Sequence, residues 1–105
     1  MEHLKEIKEK VAPIARKYNV SQVYLFGSYA RGNMQEESDL DLAIHDEGSD
    51  IKDLLSLIRM ENDLENVFGL KVDLLTLYQI HENNVPLGRR FCENFEREKV
   101  LLYEK

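Results

Sequence analysis

From Asp39 to His45 the chain alternates. Asp39, Asp41, Ala43 and His45 fall on one side, and Leu40, Leu42 and Ile44 on the other. Period two is the repeat of a β-strand, whose successive side chains point to opposite faces. Such a strand fits only a sheet with an apolar core under one face and room for carboxylates on the other. Residues two apart on a strand lie about 7 Å apart along the chain, so Asp39 and Asp41 project side by side. Two further stretches read as strands. Gln22 to Phe26 is short, β-branched and aromatic, and Gly27 ends it. Leu70 to Leu77 puts Leu70, Val72 and Leu74 on one face and Lys71, Asp73 and Leu75 on the other.

The remaining chain is mostly helical in pattern. Leu4, Ile7, Val11, Ile14 and Tyr18 recur at helical spacing, with Pro13 expected to kink or split that helix and Asn19 to stop it. A second helix is expected after Asp46–Asp50. Ser49 or Asp50 is its expected cap, with Asp53 in its first turn and Gly69 at its end. Its apolar stripe is read as Ile51, Leu54, Leu55, Ile58 and Leu64. Asn83-Asn84 reads as a turn, and Pro86 opens a last helix with Leu87, Phe91 and Phe95 on one side. Cys92 lies on that helix's apolar side and is expected to be buried and inert. Lys99 to Tyr103 reads as a final edge strand. At 105 residues this is a single domain, 1–105.

Composition narrows the function. The net charge of −6 argues against a chain that grips nucleic acid through its phosphates. It suits a protein partner, or a small anionic substrate carried in with metal ions. No apolar run reaches the length of a membrane span, and the charged N-terminus has no signal core. The single cysteine fits a reducing cytoplasm. The expectation is a cytoplasmic protein that engages neither membrane nor nucleic acid directly.

The candidate chemistry centres on two elements close in sequence. Asp39 and Asp41 can converge on bound cations. Hard ions such as Mg²⁺ take oxygen ligands, commonly carboxylates together with substrate phosphates. Two ions roughly 4 Å apart can stabilise both the attacking and the leaving oxygen of a phosphoryl displacement. Asp73 is the leading third carboxylate, because it sits inside an otherwise apolar strand where a charge is costly unless paired or metal-bound. The second element is Gly27-Ser28-Tyr29-Ala30-Arg31-Gly32. Gly27 lets the backbone approach a bulky anion. Ser28 offers a hydroxyl and an N–H at the start of a helical turn, and Gly32-Asn33 breaks that turn. Arg31 has a supporting role, on a phosphate or on a nearby aspartate. Tyr29 stays open between base stacking and packing, and Glu36 and Glu37 read as loop charges. His3, His45 and His81 share no metal-ligand spacing. His45 reads as a surface histidine at a strand end.

Gly27-Ser28, ten residues, then Asp39-Leu40-Asp41, with Asp73 on a later strand, resembles the nucleotidyltransferase superfamily that includes DNA polymerase beta. The specific resemblance is to its minimal, MNT-type members. The resemblance covers residues 20 to 77 and implies an α+β fold, a small mixed β-sheet with helices packed mainly on one side. It implies that Asp39, Asp41 and Asp73 bind Mg²⁺, with Asp73 a possible base, and that Gly27 and Ser28 hold the triphosphate of ATP. It further implies an antitoxin that transfers AMP to a tyrosine hydroxyl of a HEPN-type toxin. In keeping with a partner-borne acceptor, only Tyr78 to Lys105 follow the third strand, which leaves no second domain for a small acceptor. Two other readings stand beside it. One is a nucleotidyltransferase acting on a small-molecule hydroxyl. The other is a non-catalytic subunit that neutralises its partner by contact alone.

Overall fold

The computed structural model of the chain describes residues 4–27, 30, 39–81 and 88–105. Its strands are β1 (Gln22–Phe26), β2 (Leu40–His45), β3 (Val72–Thr76) and β4 (Val100–Glu104). They form one sheet in the order β3-β2-β1-β4. β1 pairs antiparallel with β2 and β4, whereas β2 and β3 are parallel. The sheet is therefore mixed, as expected. The helices are α1 (Leu4–Lys17), α2 (Leu54–Phe68), α3 (Leu77–His81) and α4 (Gly88–Glu98).

Strand alternation sorts the core. Val23, Leu25, Leu40, Leu42, Ile44, Val72 and Leu74 pack with Ile7, Val11 and Ile14 of α1 and with Leu57, Met60, Leu64 and Phe68 of α2. On the opposite face a smaller cluster forms from Phe26, Ala43, Ile80 of α3 and Phe95 of α4. The Phe95 ring meets Phe26 and Tyr24 edge-on, with centroids 5.3 and 6.1 Å apart. The ammonium of Lys99 lies 5.1 Å from the centre of the Tyr24 ring and donates to Glu96 Oε1 at 2.7 Å. That bond to Glu96 raises the Lys99 pKa above its usual value. The two long helices thus share one face, and the C-terminal pair covers part of the other.

Local chemistry explains the element ends, and several differ from expectation. Asn19 adopts φ +58°, while Asn19 N donates to Arg16 O (3.1 Å) and Val20 N to Ala15 O (3.0 Å). This is the paired-bond helix stop with a left-handed residue, here an asparagine. Pro13 does not split α1, which runs through it as one element. Its position is exposed, so water can solvate the carbonyl that the proline leaves unbonded. Helix α2 is capped by Asp53 rather than by Ser49 or Asp50. Asp53 Oδ1 accepts from Ser56 N at 2.8 Å and Ser56 Oγ accepts from Asp53 N at 3.2 Å, a reciprocal box. Ser49 instead ties the preceding loop, donating to Asp46 O and accepting from Ile51 N.

The apolar stripe of α2 is also shifted from the expected one. Leu57, Met60, Leu64 and Phe68 are buried, while Leu54 and Leu55 are 69% and 58% exposed and Ile58 is exposed too. Ile51 is buried but precedes the helix. Gly69, at φ +68°, ends α2 as expected. Straight after β3, Thr76 and Gln79 form another reciprocal box, with Thr76 N donating to Gln79 Oε1 (2.9 Å) and Gln79 N to Thr76 Oγ1 (3.1 Å). That box starts α3, which the sequence pattern left unassigned. Cys92 is half-buried against the smaller cluster. The expected turn at Asn83-Asn84, Pro86 and Leu87 lie outside the described residues, as does the side chain of Phe91.

Candidate active site

Gly27 follows β1 directly and holds φ at +75°, a left-handed conformation that suits glycine. A Cβ built there would lie 2.2 Å from Asp41 Oδ2 and 3.0 Å from its Cγ. The carboxylate of Asp41 therefore rests where any other residue would place its side chain. The register explains the contact. Phe26 is the antiparallel partner of Asp41 across β1 and β2, so the chain turns at Gly27 beside that carboxylate.

On its other side Asp41 is the parallel partner of Asp73. Paired residues of neighbouring strands sit roughly 5 Å apart and project to the same face. Both aspartates are half-buried, and both line a cleft of about 530 Å³. The cleft runs from Phe26 and Gly27 across Asp41 and Asp73 to Glu61 near the outer edge of β3, and Asn94, Phe95 and Glu98 of α4 wall it. Asp39 precedes β2 and does not line the cleft among the described residues. Its Oδ2 lies 4.0 Å from Lys71 Nζ, and Leu40 N donates to Lys71 O at 2.9 Å.

Ser28, Tyr29, Arg31, Glu36 and Glu37 lie outside the described residues. His45 is at the far end of β2 from Asp39, where its Nδ1 is 2.9 Å from Ser21 Oγ. It takes no part in the cleft, in line with a strand-end histidine. In the strand pattern Lys71 shares a face with Asp73. The structure makes it the counter-charge of Asp39. Nothing in the sequence marks Glu61, Asn94 or Glu98, because a charged or amide residue on an amphipathic helix reads as a solvated one.

Among the described residues, no three His, Cys, Asp or Glu side chains already converge as a metal-binding group. The donor chemistry nevertheless suits a hard cation. Two carboxylates are paired in register, a third stands two residues upstream, and like charges this close favour a positive counterweight.

Residues 1–102 match the nucleotidyltransferase domain family. The chain belongs to that family. It is an enzyme of the transferase class by that membership, and relatives bear names of the same class. One, from Methanocaldococcus jannaschii, carries the provisional name protein adenylyltransferase. It is 43% identical over 79 residues, which span 75% of this chain and 83% of the relative. The protein adenylyltransferase MntA of Thermococcus cleftensis is 38% identical over 73 residues, spanning 70% of this chain and 65% of that protein. Among solved structures, a toxin–antitoxin complex with AMP-PNP matches with a TM-score of 0.71 at 22% identity, covering 93% of this chain and 73% of its counterpart. A complex of the tri-AMPylated HEPN toxin of Shewanella oneidensis with its MNT antitoxin matches with a TM-score of 0.66 at 19% identity, covering 98% and 74%. At these identities the structural likenesses establish the fold, which is that of the minimal nucleotidyltransferases.

Proposed function

We propose that this nucleotidyltransferase moves AMP from ATP to a tyrosine hydroxyl of a HEPN-type toxin, and so acts as the toxin's antitoxin. The observation that carries this reading is the contact between Gly27 and the Asp41 carboxylate, with Asp73 paired beside it in an open cleft. It puts Gly27, the first residue of the expected phosphate cradle, against a carboxylate of the acidic strand. The adenylyltransferase names of the relatives, and the AMP-PNP and HEPN toxin complexes among the structural neighbours, support ATP as the nucleotide and a HEPN-type toxin as the partner. A reducing cytoplasm suits the lone Cys92.

In the reaction the acceptor oxygen bonds to the α-phosphorus of ATP. The bond from that phosphorus to the β-phosphate oxygen breaks, and pyrophosphate leaves. Asp73 is assigned to take the acceptor's proton, and Gly27, which has no side chain, is assigned to let the triphosphate approach the sheet end. Ser28 and Arg31, next in sequence, are assigned to the phosphates. Asp39, Asp41 and Asp73 are the residues that would hold Mg²⁺, which when bound supplies positive charge to the triphosphate and the leaving group. Lys71 Nζ, 4.0 Å from Asp39 Oδ2, is a positive charge beside that carboxylate.

Pyrophosphate release tests the reading. The protein is incubated with Mg²⁺ and each nucleoside triphosphate in turn, with and without its HEPN-type partner. Release that requires both ATP and the partner is the expected result. Release driven by a small-molecule hydroxyl in place of the partner would overturn the acceptor. Partner neutralisation without any release would make the protein a binding subunit.

A further inference from the structure

β3 is an edge strand, and the N–H groups of Val72, Leu74 and Thr76 face away from β2. Unpaired edge groups are a liability in a small sheet. Here each finds a side-chain acceptor. Val72 N donates to Glu65 Oε2 at 3.0 Å, Leu74 N to Glu61 Oε2 at 3.0 Å, and Thr76 N to Gln79 Oε1 at 2.9 Å. Glu61 and Glu65 stand one turn apart on α2, a rise of about 6 Å. Residues two apart on β3 are spaced about 6.6 Å. The helix therefore presents its acceptors at the repeat of the strand edge.

The two rungs differ in one respect. Glu65 supports Val72 away from the cleft. Glu61 supports Leu74, the residue that follows Asp73, and Glu61 itself lines the cleft with Asp41 and Asp73. Resting on the nucleotidyltransferase reading above, we infer that Glu61 is a positioning residue. Its hydrogen bond to the Leu74 N–H fixes the backbone at Asp73, and with it the Asp73 carboxylate against Asp41. The hydrogen bond carries the effect, and the negative charge of Glu61 is not required for it.

Glu65 is the internal control, because Glu65→Ala deletes the same kind of bond one rung away. In ¹⁵N-labelled protein, Glu61→Ala should speed hydrogen exchange at the Leu74 amide. It should also weaken the broadening that added Mn²⁺ produces at the Asp73 and Leu74 amides. Glu61→Gln, which keeps an acceptor oxygen, should restore both. Glu65→Ala should speed exchange at Val72 and leave the Mn²⁺ effect intact. In the transfer assay Glu61→Ala should lower kcat about 10- to 100-fold with little change in the KM for ATP, as expected when a reacting group is misplaced. Glu61→Gln should recover most of that loss. The inference is overturned if Glu61→Ala and Glu65→Ala behave alike, or if Glu61→Gln fails like Glu61→Ala. Failure of the functional reading looks different. Wild-type protein would then transfer no AMP, while amide exchange and the Mn²⁺ effect would still decide the role of Glu61.

Discussion

The two faces of the sheet are built from alternate residues of the same strands, yet they are finished differently. On one face Leu40, Leu42 and Ile44 are wholly buried under α1 and α2. On the other, Asp41 and Asp73 are half-buried, and α3 and α4 cover Phe26 and Ala43 while leaving a cleft over the carboxylates. A single step along β2 thus separates a residue that holds the fold from one that faces the cleft. The comparison implies that stability and activity can be altered independently, one face at a time.

The sharpest test of that separation is Asp41→Asn. AMP transfer should fall about 100- to 1,000-fold, the scale on which a positioned charge or donor acts in a transition state. The melting temperature should hold or rise, since a like-charge neighbour of Asp73 is removed. A matching loss of stability would break the comparison. Leu42→Ala is the opposite case. Deleting that fully buried side chain should cost about 3 kcal/mol in a urea titration. The folded fraction should keep its wild-type specific activity.

Gly27→Ala should affect both properties, because Gly27 joins the two. A left-handed φ costs a non-glycine residue about 1 kcal/mol. The added methyl also displaces the Asp41 carboxylate, so transfer should slow at least about tenfold. Thermal melts and initial rates on one preparation check both.

The smallest effect belongs to the buried face's outer rim. Asp63 Oδ2 accepts from Lys17 Nζ at 2.8 Å and from Tyr18 Oη at 2.6 Å, joining α1 to α2. These bonds, Lys17 first, hold the Asp63 carboxyl below the 3.8 of a free aspartate, while burial raises the Tyr18 hydroxyl. A depressed folded-state pKa stabilises the protein above the unfolded value and loses that stabilisation as pH falls through the folded one. Asp63→Asn should therefore be slightly less stable than wild type near neutral pH. The gap should close below about pH 4. Denaturant midpoints at several pH values check this, and transfer rates should not change.

Much of the sheet was legible because strand alternation leaves little choice. Leu40, Leu42 and Ile44 could only face a core, and that put Asp39 and Asp41 on the other side. Helix phase was less constrained. Along α2 the apolar residues fit two stripes, and only packing against β2 and β3 selects Leu57, Met60, Leu64 and Phe68 over Leu54, Leu55 and Ile58. The two reciprocal boxes, Asp53 with Ser56 and Thr76 with Gln79, carried a readable signal: a capping residue followed three positions later by a side chain able to bond back. In the site, the pairing of Asp41 with Asp73 follows from a parallel register that periodicity alone does not set. Glu61 was not legible, since only the position of α2 against the edge of β3 separates it from any solvated glutamate.

The central claim is that the acidic face transfers AMP to a partner chain while the apolar face only supports it. Intact mass of the HEPN-type partner, after incubation with ATP, Mg²⁺ and either wild type or Asp41→Asn, tests this most directly. An AMP-sized gain with wild type and none with a fully folded Asp41→Asn is the predicted result. An equal gain with both proteins would contradict the assignment of the site. No gain with either, alongside complete neutralisation of the partner, would contradict the activity itself.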